Sequence, residues 1–347
     1  MTAYHLSRRA VLKAGAAVGL ATVGMPAIVR ADTKEIVIGG PAGAAKYFNS
    51  DLFPFLEKKL DIKVFYEGSN SLTNLQKMQA DKAAPKMSVV IMDDPVMLPA
   101  ADQGLITAMS PSAVPNLGKL IDGAVHRDGM WANYQKPWAG IAYSTARMPT
   151  PPASWTELWD SKYAQKIIVP SLQNTEGFWT FLAAAHIETG KPYKDAQYEV
   201  DAAFKKLKSL KGNLLNVYTN APQAINLLEQ GEAYMIGGQF SAYTLSRKVD
   251  GSPVDLAVPA DGAFAMPSGI AKVMNGPAGG LADAVIDAIL SPEAQTILAA
   301  KAFVAPTNVG TPKPAGFPDG ASLFAPDWAF VAKERAGWVE RWIKEMA

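Results

Sequence analysis

Short β-branched runs alternate with helix-spaced segments along most of the chain, and this alternation limits the possible folds more than any other feature. Glu35-Ile36-Val37-Ile38-Gly39 reads as a strand stopped by glycine, with the loop Gly40-Pro41-Ala42-Gly43 and a helix over about 45–59 behind it. Ile62-Lys63-Val64-Phe65-Tyr66 alternates as a second strand. The loop through Ser69 and Asn70 then leads into a helix from Leu72, with Leu75, Met78 and Gln79 at helical spacing, and Val89-Val90-Ile91-Met92 is a buried strand. The middle of the chain repeats the pattern: a strand at 166–170, the loop Asn174-Thr175-Glu176-Gly177, a helix from Phe178, a strand at 214–218, a helix over about 222–229 and a strand at 233–237. Such alternation predicts α/β lobes, each a mostly parallel sheet flanked by helices, with ligands held outside the carboxyl ends of strands.

A chain of 347 residues can bury two such cores. The apolar stretches Gly140-Ile141-Ala142-Tyr143 and Ala271-Lys272-Val273-Met274 are where the chain is expected to cross between lobes and form a hinge. The predicted organisation is a leader at 1–31, the first part of one lobe at 32–139, a second lobe at 140–265 and a return to the first lobe at 266–347. That last part includes a proline-rich wrapping segment over 305–326 and a final helix that docks through Trp338 and Trp342, four residues apart.

The leader reads Ser7-Arg8-Arg9-Ala10-Val11-Leu12-Lys13, then an apolar run from Ala14 to Val29, then Arg30-Ala31. Charge, apolar core and small-residue site in that order make an export signal cleaved near Ala31, and the twin arginines direct it to the twin-arginine translocation machinery. The run is too short and too glycine-broken for an anchor, so a periplasmic location is expected. The leader carries four basic residues and no acid, so the remainder has 29 basic against 32 acidic residues and no basic excess for nucleic acid. Cysteine is absent, and outside the leader only His126 and His186 remain, which removes disulfides, thiolate sites and histidine clusters for zinc. No cofactor is expected.

The segments Pro137-Trp138-Ala139-Gly140-Ile141-Ala142-Tyr143-Ser144-Thr145, Pro151-Pro152-Ala153-Ser154-Trp155-Thr156-Glu157-Leu158-Trp159 and Tyr163-Ala164-Gln165-Lys166-Ile167-Ile168 follow one another at family-specific spacing. Together with Asn220-Ala221-Pro222-Gln223, Val258-Pro259-Ala260-Asp261 and Leu290-Ser291-Pro292-Glu293, they resemble the extracellular solute-binding proteins of the polyamine, iron and thiamine group. Ser144 stands where the family motif has Asn. The resemblance implies a type II-like two-lobed binding protein, a ligand closed between lobes joined by crossing strands, and delivery to an ABC transporter permease. A monomer is expected.

Two ligand chemistries remain open at the strand ends. For a cation, Asp93, Asp94, Glu176 and Asp261 supply carboxylates, while Trp138, Tyr143, Tyr218, Phe240 and Tyr243 supply aromatic walls beside the polar Thr175 and Gln239. For an anion, the loop at Gly40 and the helix start at Ser69, Asn70 and Ser71 would point N–H groups into the cleft, with Lys46 near. Asp94 before Pro95 and Glu176 before its helix also fit plain capping roles. The segment 264–269 lacks the carboxylate that the resemblance leads one to expect of polyamine binders near the second hinge, and no Tyr-Tyr pair for ferric iron occurs. There is no Walker spacing or Gly-x-Ser-x-Gly elbow, and adjacent Asp93 and Asp94 would point to opposite faces of a strand, which argues against a periplasmic enzyme. The expectation is capture of a small organic cation, such as a polyamine or opine-like amine, by hinge closure, with a phosphonate or sugar phosphate as the alternative.

Overall fold

The computed structural model describes residues 34–266, 268–314 and 323–346. The expected leader, its twin arginines and its cleavage point lie outside the described residues, as does the middle of the proline-rich segment. In chain order the strands are β1 Lys34–Pro41, β2 Ile62–Ser69, β3 Val89–Asp93, β4 Ile106–Thr107, β5 Val125–His126, β6 Trp131–Gln135, β7 Trp138–Ser144, β8 Ile167–Pro170, β9 Leu214–Tyr218, β10 Met235–Phe240, β11 Val254–Ala257, β12 Ala263–Ala265, β13 Ser268–Val273 and β14 Leu323–Phe324. The α-helices are α1 Ala45–Tyr47, α2 Phe53–Leu60, α3 Ser71–Ala80, α4 Asp94–Asp102, α5 Gly177–Thr189, α6 Tyr193–Ala196, α7 Val200–Ser209, α8 Ala221–Glu229, α9 Ser241–Val249, α10 Gly280–Leu290, α11 Pro292–Ala302 and α12 Trp328–Met346.

One sheet has the order β2-β1-β3-β13-β6-β5 with β4 beside β13, and the other β14-β12-β7-β10-β8-β9 with β11 beside β7. Strands joined through helices run parallel, β1 with β2 and β3 in the first sheet and β8 with β9 and β10 in the second. The strands that carry the chain from sheet to sheet run antiparallel to their neighbours: β13 against β3, β4 and β6, and β7 against β10, β11 and β12. Both sheets are therefore mixed rather than mostly parallel. A parallel pair needs a long helical crossover, and the short links between the sheets do not provide one.

The crossings lie between Gln135 and Trp138 and between Ala265 and Ser268, a few residues ahead of the stretches singled out from the sequence, which belong to β7 and to β13 and its end. The crossing segments are tied down: Met266 N–H donates to the Pro137 carbonyl at 3.1 Å, and Lys136 N–H to the Ala305 carbonyl at 2.8 Å.

Burial follows the sequence pattern closely. β3 is buried at every position, as a continuous apolar run in a sheet covered on both faces should be. α5 is buried from Gly177 to Ala185. Its rings receive the last helix: Trp338 of α12 stacks on Phe178 and Phe181 at centroid distances of 5.8 and 5.1 Å, and Trp342 is also buried. On the same helix α5, Trp179 stacks on Phe264 of β12 at 4.9 Å. Truncating Trp338 to Ala is expected to cost about 3–5 kcal/mol, read as a lower urea midpoint. An unchanged midpoint would show that this stack does not anchor α12.

Candidate functional site

The site begins with the end of β3. Asp93 closes the strand and Asp94 opens α4, so the two carboxylates diverge. The Ser71 hydroxyl at the start of α3 donates to Asp93 Oδ2 at 2.9 Å, and Asp93 N–H donates back to Ser71 Oγ at 3.2 Å. This reciprocal pair fixes the carboxylate at the junction of two elements. Asp94 turns the other way, accepting hydrogen bonds from Trp131 Nε1 and Asn133 Nδ2 at 3.1 and 2.7 Å, with His126 Nε2 3.5 Å from its second oxygen.

From the second sheet, β8 ends at Pro170 and a turn delivers Asn174, Thr175 and Glu176 to the start of α5. Gly238 makes room for this turn. It sits at φ 76° in a bulge of β10, and a Cβ there would come within 2.6 Å of the Glu176 carbonyl oxygen. The same bulge turns Gln239, whose Nε2 donates to the Tyr218 hydroxyl at 3.1 Å.

Asp93 and Glu176 face a common space of ≈ 300 Å³, counted with its mouth, bounded by Gly43, Ser69 and Asn70 on one side and Asn174, Thr219 and Tyr243 on the other. Burial pushes the Glu176 carboxyl up to about 8, with the nearby Asp93 charge adding to the effect. Burial also raises Asp93, opposed by the Thr175 and Ser71 hydroxyls and by the charge of Arg335. The phenols of Tyr66, Tyr134, Tyr218 and Tyr243 are all raised by burial and stay neutral. Tyr243 also packs so closely over the opposite loop that a Cβ on Gly43 would lie 2.7 Å from its ring.

The structure brings together Ser69, Asn70, Asp93, Thr175, Glu176, Tyr218 and Tyr243, with Gln239 and Phe240 directly behind: the Phe240 ring meets Tyr243 edge-on at 5.4 Å. Gly40 contributes from the backbone, its carbonyl accepting from Asn74 Nδ2 at 3.2 Å. Four expected residues lie elsewhere. Asp94 serves the Trp131, Asn133 and His126 cluster. Asp261 accepts from Ser154 Oγ at 2.8 Å and from Trp155 N–H at 3.1 Å, which pins the turn before β12. Tyr143 lines a wide outer depression of ≈ 960 Å³ beside β11, and Trp138 is buried with its ring near Gly140. Another surface hollow of ≈ 400 Å³, near Met78 and Lys82, holds neither strand-end carboxylate. Lys46, the expected cation for an anionic ligand, pairs instead with Asp250 at the end of α9.

Sequence reasoning missed Arg335. It lies on α12, 160 positions after Thr175, and no local pattern marks it. Ser71 and Asn174 were placed in the right loops by the sequence, but the Ser71 hydroxyl serves the Asp93 carboxylate rather than an anion.

The raised Glu176 fixes a sign. A carboxyl that titrates near 8 when folded and near 4.5 otherwise holds a proton across that window in the folded state only, so stability falls as pH rises through it. Glu176→Gln removes this loss. Its melting temperature is expected to gain on that of the native protein between about pH 5 and pH 9; parallel Tm profiles would count against the buried proton.

Residues 84–334 match the family described as bacterial extracellular solute-binding protein. The chain is 23% identical over 308 residues to a putative 2-aminoethylphosphonate-binding periplasmic protein of Salmonella typhimurium, covering 84% of this chain and 86% of that one. It is 25% identical over 299 residues to a thiamine-binding periplasmic protein of Brucella melitensis, covering 83% and 84%. Among solved structures, the periplasmic binding protein AfuA of Actinobacillus pleuropneumoniae, with exogenous fructose-6-phosphate bound, superposes with a TM-score of 0.74 at 21% identity, over 90% of this chain and 98% of that one. The fold is that of the two-lobed periplasmic binding proteins.

Proposed function

The chain belongs to the bacterial extracellular solute-binding protein family, and on that footing we propose that its cargo is a small solute carrying a protonated amine. It is a periplasmic solute-binding protein of ABC transport, acting with a membrane permease, and not an enzyme. The observation that carries the ligand reading is the pair Asp93 and Glu176, presented from different sheets into one space that the neutral Tyr243 phenol also lines. Carboxylates and aromatic faces stabilise ammonium groups, and more strongly when shielded from water. Two relatives carry names with cationic nitrogen in the ligand, 2-aminoethylphosphonate and thiamine.

An anion is served less well. The helix starts at the cleft already spend donors on their own caps: Asn70 Oδ1 accepts from Thr73 N–H at 2.8 Å and Asn220 Oδ1 from Gln223 N–H at 3.2 Å. No lysine or arginine is among the residues that line the space.

Capture by hinge closure follows from this arrangement, because a ligand touching both carboxylates gains contacts in the closed form that an open form does not offer. The Arg8-Arg9 leader supports export through the twin-arginine machinery with cleavage near Ala31, and one chain carries both halves of the site, so a monomer suffices.

A thermal-shift screen of amines, thiamine, opines, 2-aminoethylphosphonate and fructose-6-phosphate tests the proposal. An amine at a hundredfold excess over Kd is expected to stabilise by about 2.7 kcal/mol, and Asp93→Asn should abolish that shift. A response to the sugar phosphate alone would overturn the reading. Because an incoming ammonium favours ionised Glu176, binding is expected to release a proton. Calorimetry should then show affinity rising by up to about tenfold per pH unit below about pH 8.

A further inference from the structure

Arg335 is the only buried lysine or arginine among the described residues, and it reaches from α12 to the turn that leads into α5. Its Nε donates to the Leu172 carbonyl at 3.3 Å, Nη2 to the Gln173 carbonyl at 3.2 Å and Nη1 to Thr175 Oγ1 at 3.4 Å. All three partners are neutral. They fix the position of the guanidinium without cancelling its charge. Thr175 links it onward, since the same hydroxyl group acts on the Asp93 carboxylate, and the Arg335 charge is felt by both Asp93 and Glu176.

An incoming ammonium draws Glu176 into its ionised form, and the cluster then holds two negative charges and one fixed positive charge. We infer that Arg335 is a specificity-determining residue that sets the cleft to take a solute presenting one ammonium group, and to reject one that brings two. This inference rests on the amine reading above and narrows it.

One ammonium brings the cluster to neutrality. A second would enter a buried space whose other lining groups, among them Ser69, Asn70, Asn174 and Thr219, are neutral. An unpaired buried cation is strongly disfavoured. The far end of the solute instead meets hydrogen-bonding groups, including Asn174 Oδ1, which is buried with no partner among the described residues. A hydroxyl or amide N–H donor suits that acceptor.

The test compares 4-amino-1-butanol with putrescine, which differ in whether the second end is a hydroxyl or an ammonium. Both are titrated calorimetrically into the native protein, Arg335→Met, Arg335→Lys and Asp93→Asn. The native protein is expected to prefer the amino alcohol by about tenfold or more. Arg335→Met should shift that preference toward putrescine by a similar factor, Arg335→Lys should retain it, and Asp93→Asn should lose both ligands. Putrescine bound by the native protein as tightly as the amino alcohol overturns the inference even if Arg335→Met fails to fold. An equal loss of both ligands in Arg335→Met also overturns it, by showing a strut rather than a selector. Failure of the native protein to bind either amine, or binding untouched by Asp93→Asn, sinks the amine reading itself and this inference with it.

Discussion

Two carboxylates meet at one cleft with a buried guanidinium held behind them on the turn before α5, and the surrounding architecture is arranged to make that tolerable. Asp93 is held by Ser71, Arg335 by two backbone carbonyls and Thr175, and Glu176 by a backbone that approaches Gly238 too closely for any side chain there. Buried charges of this kind are costly unless compensated by partners. Here the partners come from a strand end, a helix start and the last helix of the chain. Misplacing any of the three would leave an uncompensated charge in the interior, so the electrostatics of the site and the docking of α12 are one problem.

That dependence gives the aromatic stack a second meaning. Trp338 on Phe178 and Phe181 contributes ordinary packing, yet it also sets the height at which Arg335, almost one helical turn earlier on α12, meets the turn before α5. Residues at a distance from the cleft thus fix the position of a charge that acts on both of its carboxylates. The crossings at Lys136 and Met266 act on a larger scale, since their backbone bonds to Ala305 and Pro137 fix the two short links between the sheets.

Much of this was legible in the sequence because it is local. The β-branched runs at 35–39 and 89–92 and the tryptophan spacing in α12 each follow from period and residue type within a few positions. Asp93, Glu176 and Tyr243 could be proposed because ligand sites in such folds form at strand ends. Direction was harder. Asp94 and Asp261 carry the same chemistry as Asp93, but neighbouring indole, amide and hydroxyl groups claim them, and that competition exists only once the chain is folded. The mixed pairing of both sheets escaped for a similar reason, because the direction of β7 and β13 is set by where the short crossings lead. Arg335 escaped because a basic residue in a charged amphipathic helix looks like surface until the helix is docked.

The asparagine caps at positions 70 and 220 carry a consequence for how this scaffold can change. Each amide consumes a backbone donor that would otherwise project from a helix start toward the cleft. On the amine reading proposed above, preference for one charge over the other is therefore not built into the sheets at all. It resides in a handful of exchangeable side chains: two amides that keep the helix starts occupied, two acids and one base. Replacing an amide with glycine would release a donor and leave the backbone in place, and neutralising Asp93 would remove the competing field. On the amine reading, a few point changes on an unchanged frame would then suffice to invert the charge that the cleft prefers.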